Sequence, residues 1–133
     1  MSEFETLRLP AERSELAPDG SEVRKLLALP GGSMARFDLA AGRTSRAVAH
    51  RTVDEIWLFL GGRGEMWRKQ GEREEVVAVE AGVCITIPAG THFQFRSLRG
   101  EALAAIGVTM PPWPGEGEAV QVSGKWTPSG PAP

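Results

Sequence analysis

Residues 42–62 read GRTSRAVAHRTVDEIWLFLGG, and residues 82–97 read GVCITIPAGTHFQFRS. In the first segment five residues separate Gly42 from Val48-Ala49-His50, four separate His50 from Glu55, and six separate Glu55 from Gly62. In the second, five residues separate Gly82 from Pro88-Ala89-Gly90, two more lead to Phe93, and three more to Ser97. Side chains along a strand alternate with a period of two. Arg46, Val48 and His50 therefore fall on one face of a strand, and Glu55, Trp57 and Phe59 on one face of the next. Gly62 permits a tight turn out of the first segment, and Pro88-Ala89-Gly90 makes the turn that delivers Phe93 to the same interior.

Short apolar segments bounded by turn residues recur at 23–29, 33–39, 55–60, 65–69, 74–79, 83–87, 92–96 and 103–110. Sixteen glycines and ten prolines punctuate them and leave few long stripes of helical period. Regularly spaced strands with such turns predict an all-β sandwich or barrel. Residues 56–60 are apolar on both faces, as in a central strand or one that lines an apolar cavity. A helix over 7–16 is the competing local reading, with Leu9, Glu12 and Leu16 on one face, and Pro10 opposes it.

At 133 residues the chain reads as one domain, large enough to bury a core without disulfide or metal staples. A hydrophobic content of 41% and a charged content of 24% are those of a soluble globular protein. A formal charge of −2 leaves no electrostatic footprint for nucleic acid. Cys84, the single cysteine, lies between Val83 and Ile85 and reads as a buried small hydrophobe. The N-terminus has no secretory pattern, and no apolar run approaches the roughly 20 residues that span a bilayer. A cytoplasmic protein that engages neither nucleic acid nor membrane is expected.

Gly42, His50, Glu55, Gly62, Gly82, Pro88 and Gly90 stand in the register of the paired motifs of the cupin family, which the chain resembles over about half its length. The resemblance implies a double-stranded β-helix, a jelly-roll barrel, over residues 21–110, with irregular arms at 1–20 and 111–133. In that family three histidines and a glutamate usually hold one divalent metal. Here His50 and Glu55 occupy ligand positions, whereas Val48 and Phe93 stand where two histidines are expected. Cupins include dioxygenases, isomerases and epimerases, decarboxylases, ligand-sensing domains and storage proteins, and the fold alone does not choose among them.

Three readings of His50 and Glu55 follow: the remnant of a metal site, a metal-free acid–base dyad, or a polar anchor for a ligand. Two side-chain ligands fall short of the three or four that a stable metal site takes. His92 adjoins Phe93, and a bulge after Gly90 would turn it inward, making a His50, Glu55 and His92 set for zinc, iron, manganese or nickel. Such a set would suit a dioxygenase- or isomerase-type enzyme. Without metal, His50 and Glu55 would be the catalytic acid and base of an isomerase or epimerase, or a hydrogen-bonded imidazolium–carboxylate pair. Val48, Trp57, Phe59, Phe93 and Phe95 share the inward phase and suit the lining of a small-molecule pocket, or else fill the barrel as core. Arg46, in phase with His50, would reach a carboxylate or phosphate near the mouth. The depleted ligand set favours a small-molecule-binding module over an enzyme.

The stretch Pro111-Pro112-Trp113-Pro114-Gly115 cannot continue a ladder, because proline lacks the N–H donor. Trp113 and Trp126 sit in this otherwise polar tail, which reads as a docked extended arm, a lid, or an arm crossing to a second subunit. Sheet edges that need covering, together with these tryptophans, predict a homodimer.

Overall fold

The computed structural model describes residues 2–130. It contains eleven strands in chain order: β1 (Glu15–Leu16), β2 (Glu22–Leu29), β3 (Gly32–Leu39), β4 (Val48–His50), β5 (Asp54–Gly61), β6 (Arg63–Gln70), β7 (Arg73–Glu80), β8 (Cys84–Ile87), β9 (His92–Ser97), β10 (Leu103–Met110) and β11 (Ala119–Gln121). Six of them form one sheet in the order β1-β2-β3-β10-β5-β8, and five form a second in the order β11-β4-β9-β6-β7. Every ladder between named strands is antiparallel.

The core lies between the two sheets. The large sheet contributes Leu39, Trp57, Phe59, Ile85, Ile87, Leu103 and Ala105, and the small sheet contributes Val48, Met66, Val79, Phe93 and Phe95. β5 shows how the sequence sets this up, because its burial alternates residue by residue: Glu55, Trp57 and Phe59 are buried, and Ile56, Leu58 and Leu60 are exposed. The second apolar face of β5 therefore borders neither a core nor a cavity. It joins Met34 of β3 in an exposed apolar stripe on the outside of the large sheet. Cys84, expected to be buried, is exposed on the strand beside it.

Gly62 and Gly107 are among the glycines that packing requires. Gly62 turns the chain from β5 to β6 at φ +78°, and a Cβ there would lie 2.0 Å from the carbonyl oxygen of Ala102. Gly107 lies opposite Trp57, and a Cβ on it would meet the Phe37 ring at 2.7 Å. Its missing side chain makes room for the stack of Phe37 on Trp57, with ring centroids 4.9 Å apart.

No helix forms among the described residues, so the helical reading of 7–16 gives way to an extended stretch that ends in β1. Part of the reason is specific: the carbonyls of Pro10 and Ala11 accept hydrogen bonds from the Arg24 guanidinium, at 3.0 and 3.1 Å, instead of from helix amides. Among the described residues no helix is long and apolar enough to cross a membrane.

The C-terminal arm is less irregular than its prolines imply. β11 pairs with β4 and covers that edge of the small sheet, Ala119 lying opposite His50. Beyond it, Gln94, fully buried on the outer side of β9, holds the arm with its whole side-chain amide. Its Oε1 accepts from the amides of Lys125 and Trp126 at 3.0 and 2.9 Å, and its Nε2 donates to the carbonyls of Ser45 and Trp126 at 2.8 Å each. The Arg96 guanidinium lies over the Trp126 ring at 4.1 Å. Met1 and residues 131–133, included in the two arms, lie outside the described residues.

Candidate functional site

His50 ends β4 in the small sheet and Glu55 lies near the start of β5 in the large one, so the pair bridges the two sheets at one end of the barrel. The turn between them is held from the arm. The Glu118 carboxylate accepts from the backbone amides of Thr52 and Val53, at 2.6 and 2.8 Å, and from the Thr52 hydroxyl. The His50 carbonyl accepts from the amide of Gly90, tying the second motif's turn to the first motif's histidine.

His50 Nδ1 lies 3.3 Å from Glu55 Oε1, and both side chains are buried. The other carboxyl oxygen of Glu55 accepts the Trp57 indole N–H. His50 Nδ1 has no hydrogen-bond partner of acceptable geometry, and it is the one buried side-chain nitrogen or oxygen among the described residues in that position. Two aromatic rings stand edge-on to the imidazole: Phe93 at 5.2 Å between centroids, and Trp113 of the arm at 5.0 Å.

Burial governs the charge of both groups. It pushes His50 down from 6.5 to about 4, against the opposing pull of the Glu118 carboxylate. It pushes Glu55 up from 4.5 to about 7; the Trp57 hydrogen bond opposes this and the neighbouring Asp19 carboxylate adds to it. Near neutrality His50 is uncharged and Glu55 is poised to hold a proton. Burial therefore disfavours the expected imidazolium–carboxylate pair and leaves a neutral imidazole beside a carboxyl close to its own midpoint. A buried ion pair outweighs its desolvation only when further hydrogen bonds satisfy both charges, and here Trp57 supplies the only one to the carboxyl. Glu118 differs. Burial pushes it up, but the hydrogen bonds from Thr52 and Val53, with His50 nearby, outweigh that and hold it below the ordinary value.

The three-residue metal set does not assemble. β9 runs in register with both neighbours, His92 opposite Ala49 on one side and Lys69 on the other, with no bulge after Gly90. Consecutive strand residues point to opposite faces, so His92 turns away while Phe93 takes the interior. Among the described residues no group of three or more His, Cys, Asp or Glu side chains could hold a metal ion. His50 and Glu55 alone do not fit a divalent cation.

Arg46 also leaves its expected phase. Thr44 lies opposite Arg96, whereas Val48 lies opposite Phe93, so four steps along one strand are matched by three along the other. The extra residue turns Ser45 inward, where its hydroxyl accepts from the Phe95 amide at 3.0 Å, and leaves Arg46 exposed. Val48, Trp57, Phe59, Phe93 and Phe95 do share the interior, but they fill it: each is 2% exposed or less. The Trp57 ring packs within 6.0 Å of Phe59, Phe93 and Phe95. The interior beside the pair is thus packed, and on the arm side Trp113 stands against the imidazole. Trp113 was marked in the sequence only as an apolar residue in a polar tail. Glu118 and Asp19 carried no signal, because their roles depend on arms returning to the barrel.

Two facing antiparallel sheets, with the paired motifs meeting at one end, define a protein of the cupin fold, the double-stranded β-helix. Solved structures show the same architecture. Uridine-bound Streptomyces PAC13, as a variant, superposes with a TM-score of 0.68 at 14% identity, over 90% of this chain and 92% of that one. A conserved protein with a double-stranded β-helix domain from Klebsiella pneumoniae gives 0.65 at 14% identity, over 81% and 89%. KdgF from Halomonas sp. gives 0.63 at 16% identity, over 75% and 87%. No family model and no curated protein matches the chain.

Proposed function

We propose that this cupin-fold protein binds a small, uncharged organic molecule at the His50–Glu55 pair, with the Trp113 indole giving way to admit it. The observation that carries this reading is the unpartnered Nδ1 of His50, 3.3 Å from a carboxyl whose protonated form burial favours. A buried polar atom without a partner costs about 1–3 kcal/mol, and a ligand hydrogen bond would remove that cost. A neutral imidazole accepts and a protonated carboxyl donates, so the pair matches a ligand carrying both a donor and an acceptor. An anionic ligand would meet no counter-charge in the pair, because the imidazole is neutral. The seat is the mouth above Phe93, because the deeper interior is occupied.

The test is a nuclear magnetic resonance titration of the whole chain with uridine and a panel of neutral heterocycles and sugars, following the His50 ring and Trp113 indole signals. Saturable shifts at both, weakened by His50→Ala, support the reading. Shifts at neither residue for any member of the panel count against it.

A second reading, metal-free acid–base catalysis of an isomerase or epimerase type, is favoured by one observation: burial moves the two midpoints apart, to about 7 and about 4. Two variants separate the readings. His50→Ala and Glu55→Gln abolish turnover if the pair is catalytic, and change only affinity if it is an anchor. The apolar stripe carrying Met34, Ile56, Leu58 and Leu60 supports a homodimer as part of the same proposal.

A further inference from the structure

A groove of about 820 Å³ lies on the outside of the barrel, and its lining includes neither His50 nor Glu55. The N-terminal stretch around Leu9 and Leu16 forms one wall, the 40–46 turn with Ser129 and Gly130 forms another, and Leu39 and Ser45 are buried residues of its lining. Both walls are fixed before any ligand arrives. Arg24 pins the N-terminal stretch through the carbonyls of Pro10 and Ala11. Thr44 and Ser129 exchange two hydrogen bonds, and Arg43 donates to the Gly130 carbonyl.

Five arginines line this groove, Arg13, Arg24, Arg36, Arg43 and Arg46, against three carboxylates, Asp19, Glu22 and Asp38. The carboxylates are already committed. Glu22 pairs with Arg13 at 3.2 Å, and Asp38 is shared by Arg24 and Arg36 at 3.1 Å each. Asp19 is buried and accepts from the Ser21 amide and hydroxyl at 2.9 and 2.6 Å; burial pushes its midpoint up, which weakens it as a counter-charge for Arg46. Positive charge is left over, and Arg43 and Arg46 carry it. Leu9 and Leu16, each nearly half exposed, line the same groove. Guanidinium groups bind oxyanions through paired N–H donors, and pre-fixed walls reduce the entropy lost on binding. The volume falls in the range of roughly 300–1,000 Å³ that suits a small molecule.

We infer that this groove is a second binding site, for a small organic oxyanion with an apolar body. Arg43 and Arg46 hold the carboxylate or phosphate end, and Leu9 and Leu16 cover the apolar part. Calorimetric titration of the full chain with phenyl phosphate, benzoate and benzyl alcohol tests this. Saturable binding of at least one anion, none of the alcohol, and an affinity that falls with added salt are expected. The preferred anion identifies the head group. Arg43→Gln and Arg46→Gln each weaken binding roughly tenfold, while Glu55→Gln leaves it unchanged. Neither arginine side chain is buried, so both variants fold, as circular dichroism verifies. Absence of saturable binding by either anion overturns the inference. So do affinities in the two arginine variants equal to that of the wild type, or a loss of binding in Glu55→Gln instead.

Discussion

Trp113 stands edge-on to His50, with ring centroids 5.0 Å apart and planes at 74°. The indole belongs to the C-terminal arm, which returns to the barrel through Glu118 on the Thr52 and Val53 amides and through β11 on β4. The environment of a barrel histidine is therefore set by a segment more than sixty residues away in the chain. Water is excluded from the imidazole by a part of the molecule that can be altered without touching the core.

Replacing Trp113 with alanine is expected to move the His50 midpoint upward from about 4 toward its ordinary 6.5, because solvent then reaches the ring. A pH titration of the imidazole carbon-bound protons measures this. A midpoint that stays near the wild-type value would show that Phe93 alone keeps the ring dry.

Glu55→Gln is expected to stabilise the fold in a pH-dependent way. The folded midpoint of Glu55, about 7, lies above its unfolded 4.5, so its stabilising contribution is complete below pH 4.5 and is lost as pH rises through about 7. His50 runs the other way: its contribution is complete above pH 6.5 and is lost as pH falls through about 4. Glutamine copies the neutral carboxyl at every pH. Urea unfolding at about pH 8 should show a gain on the order of 2–3 kcal/mol over the wild type. The gain should vanish below pH 4.5. Equal stabilities at both extremes would contradict a raised Glu55.

The fold was legible because it is written in short-range features. The turn glycines and the alternation of residues 92–96 need no long-range information. All eight apolar segments named from the sequence became strands, with bounds shifted by a residue or two. β1, β4 and β11 are two or three residues long and owe their existence to their partners. The site was legible only in part. His50 and Glu55 converge as their spacing suggests, but the extra residue between Thr44 and Val48 removes Arg46, and a regular β9 removes His92. One inserted residue reverses strand phase, and neither its presence near 46 nor its absence near 91 leaves a composition signal.

Gln94→Ala should release the arm. Four hydrogen bonds, one buried and three partly buried, end on this one amide, and its loss strands the Lys125 and Trp126 amides and the Ser45 and Trp126 carbonyls. A loss of about 2–4 kcal/mol in unfolding free energy is expected. Limited proteolysis should then cut within residues 120–130, and resistance equal to the wild type would mean that β11 and Trp126 packing hold the arm unaided.

Leu58→Lys tests the homodimer. Leu58 is 44% exposed in the middle of the apolar stripe and makes no contribution to the core. Light scattering should give twice the chain mass for the wild type and the single mass for the variant, with unchanged circular dichroism. A wild-type monomer at micromolar concentration would contradict the proposal.

Whether burial holds His50 neutral and raises Glu55, as a site for an uncharged ligand requires, is decided by titrating both groups in the wild-type chain. Carbon-13 labelling of the glutamate carboxyl and nitrogen-15 labelling of the imidazole report them separately. The account predicts a Glu55 midpoint of about 7 and a His50 midpoint of about 4. A Glu55 midpoint below 4.5 together with a His50 midpoint above 6.5 would show a charged pair and contradict it.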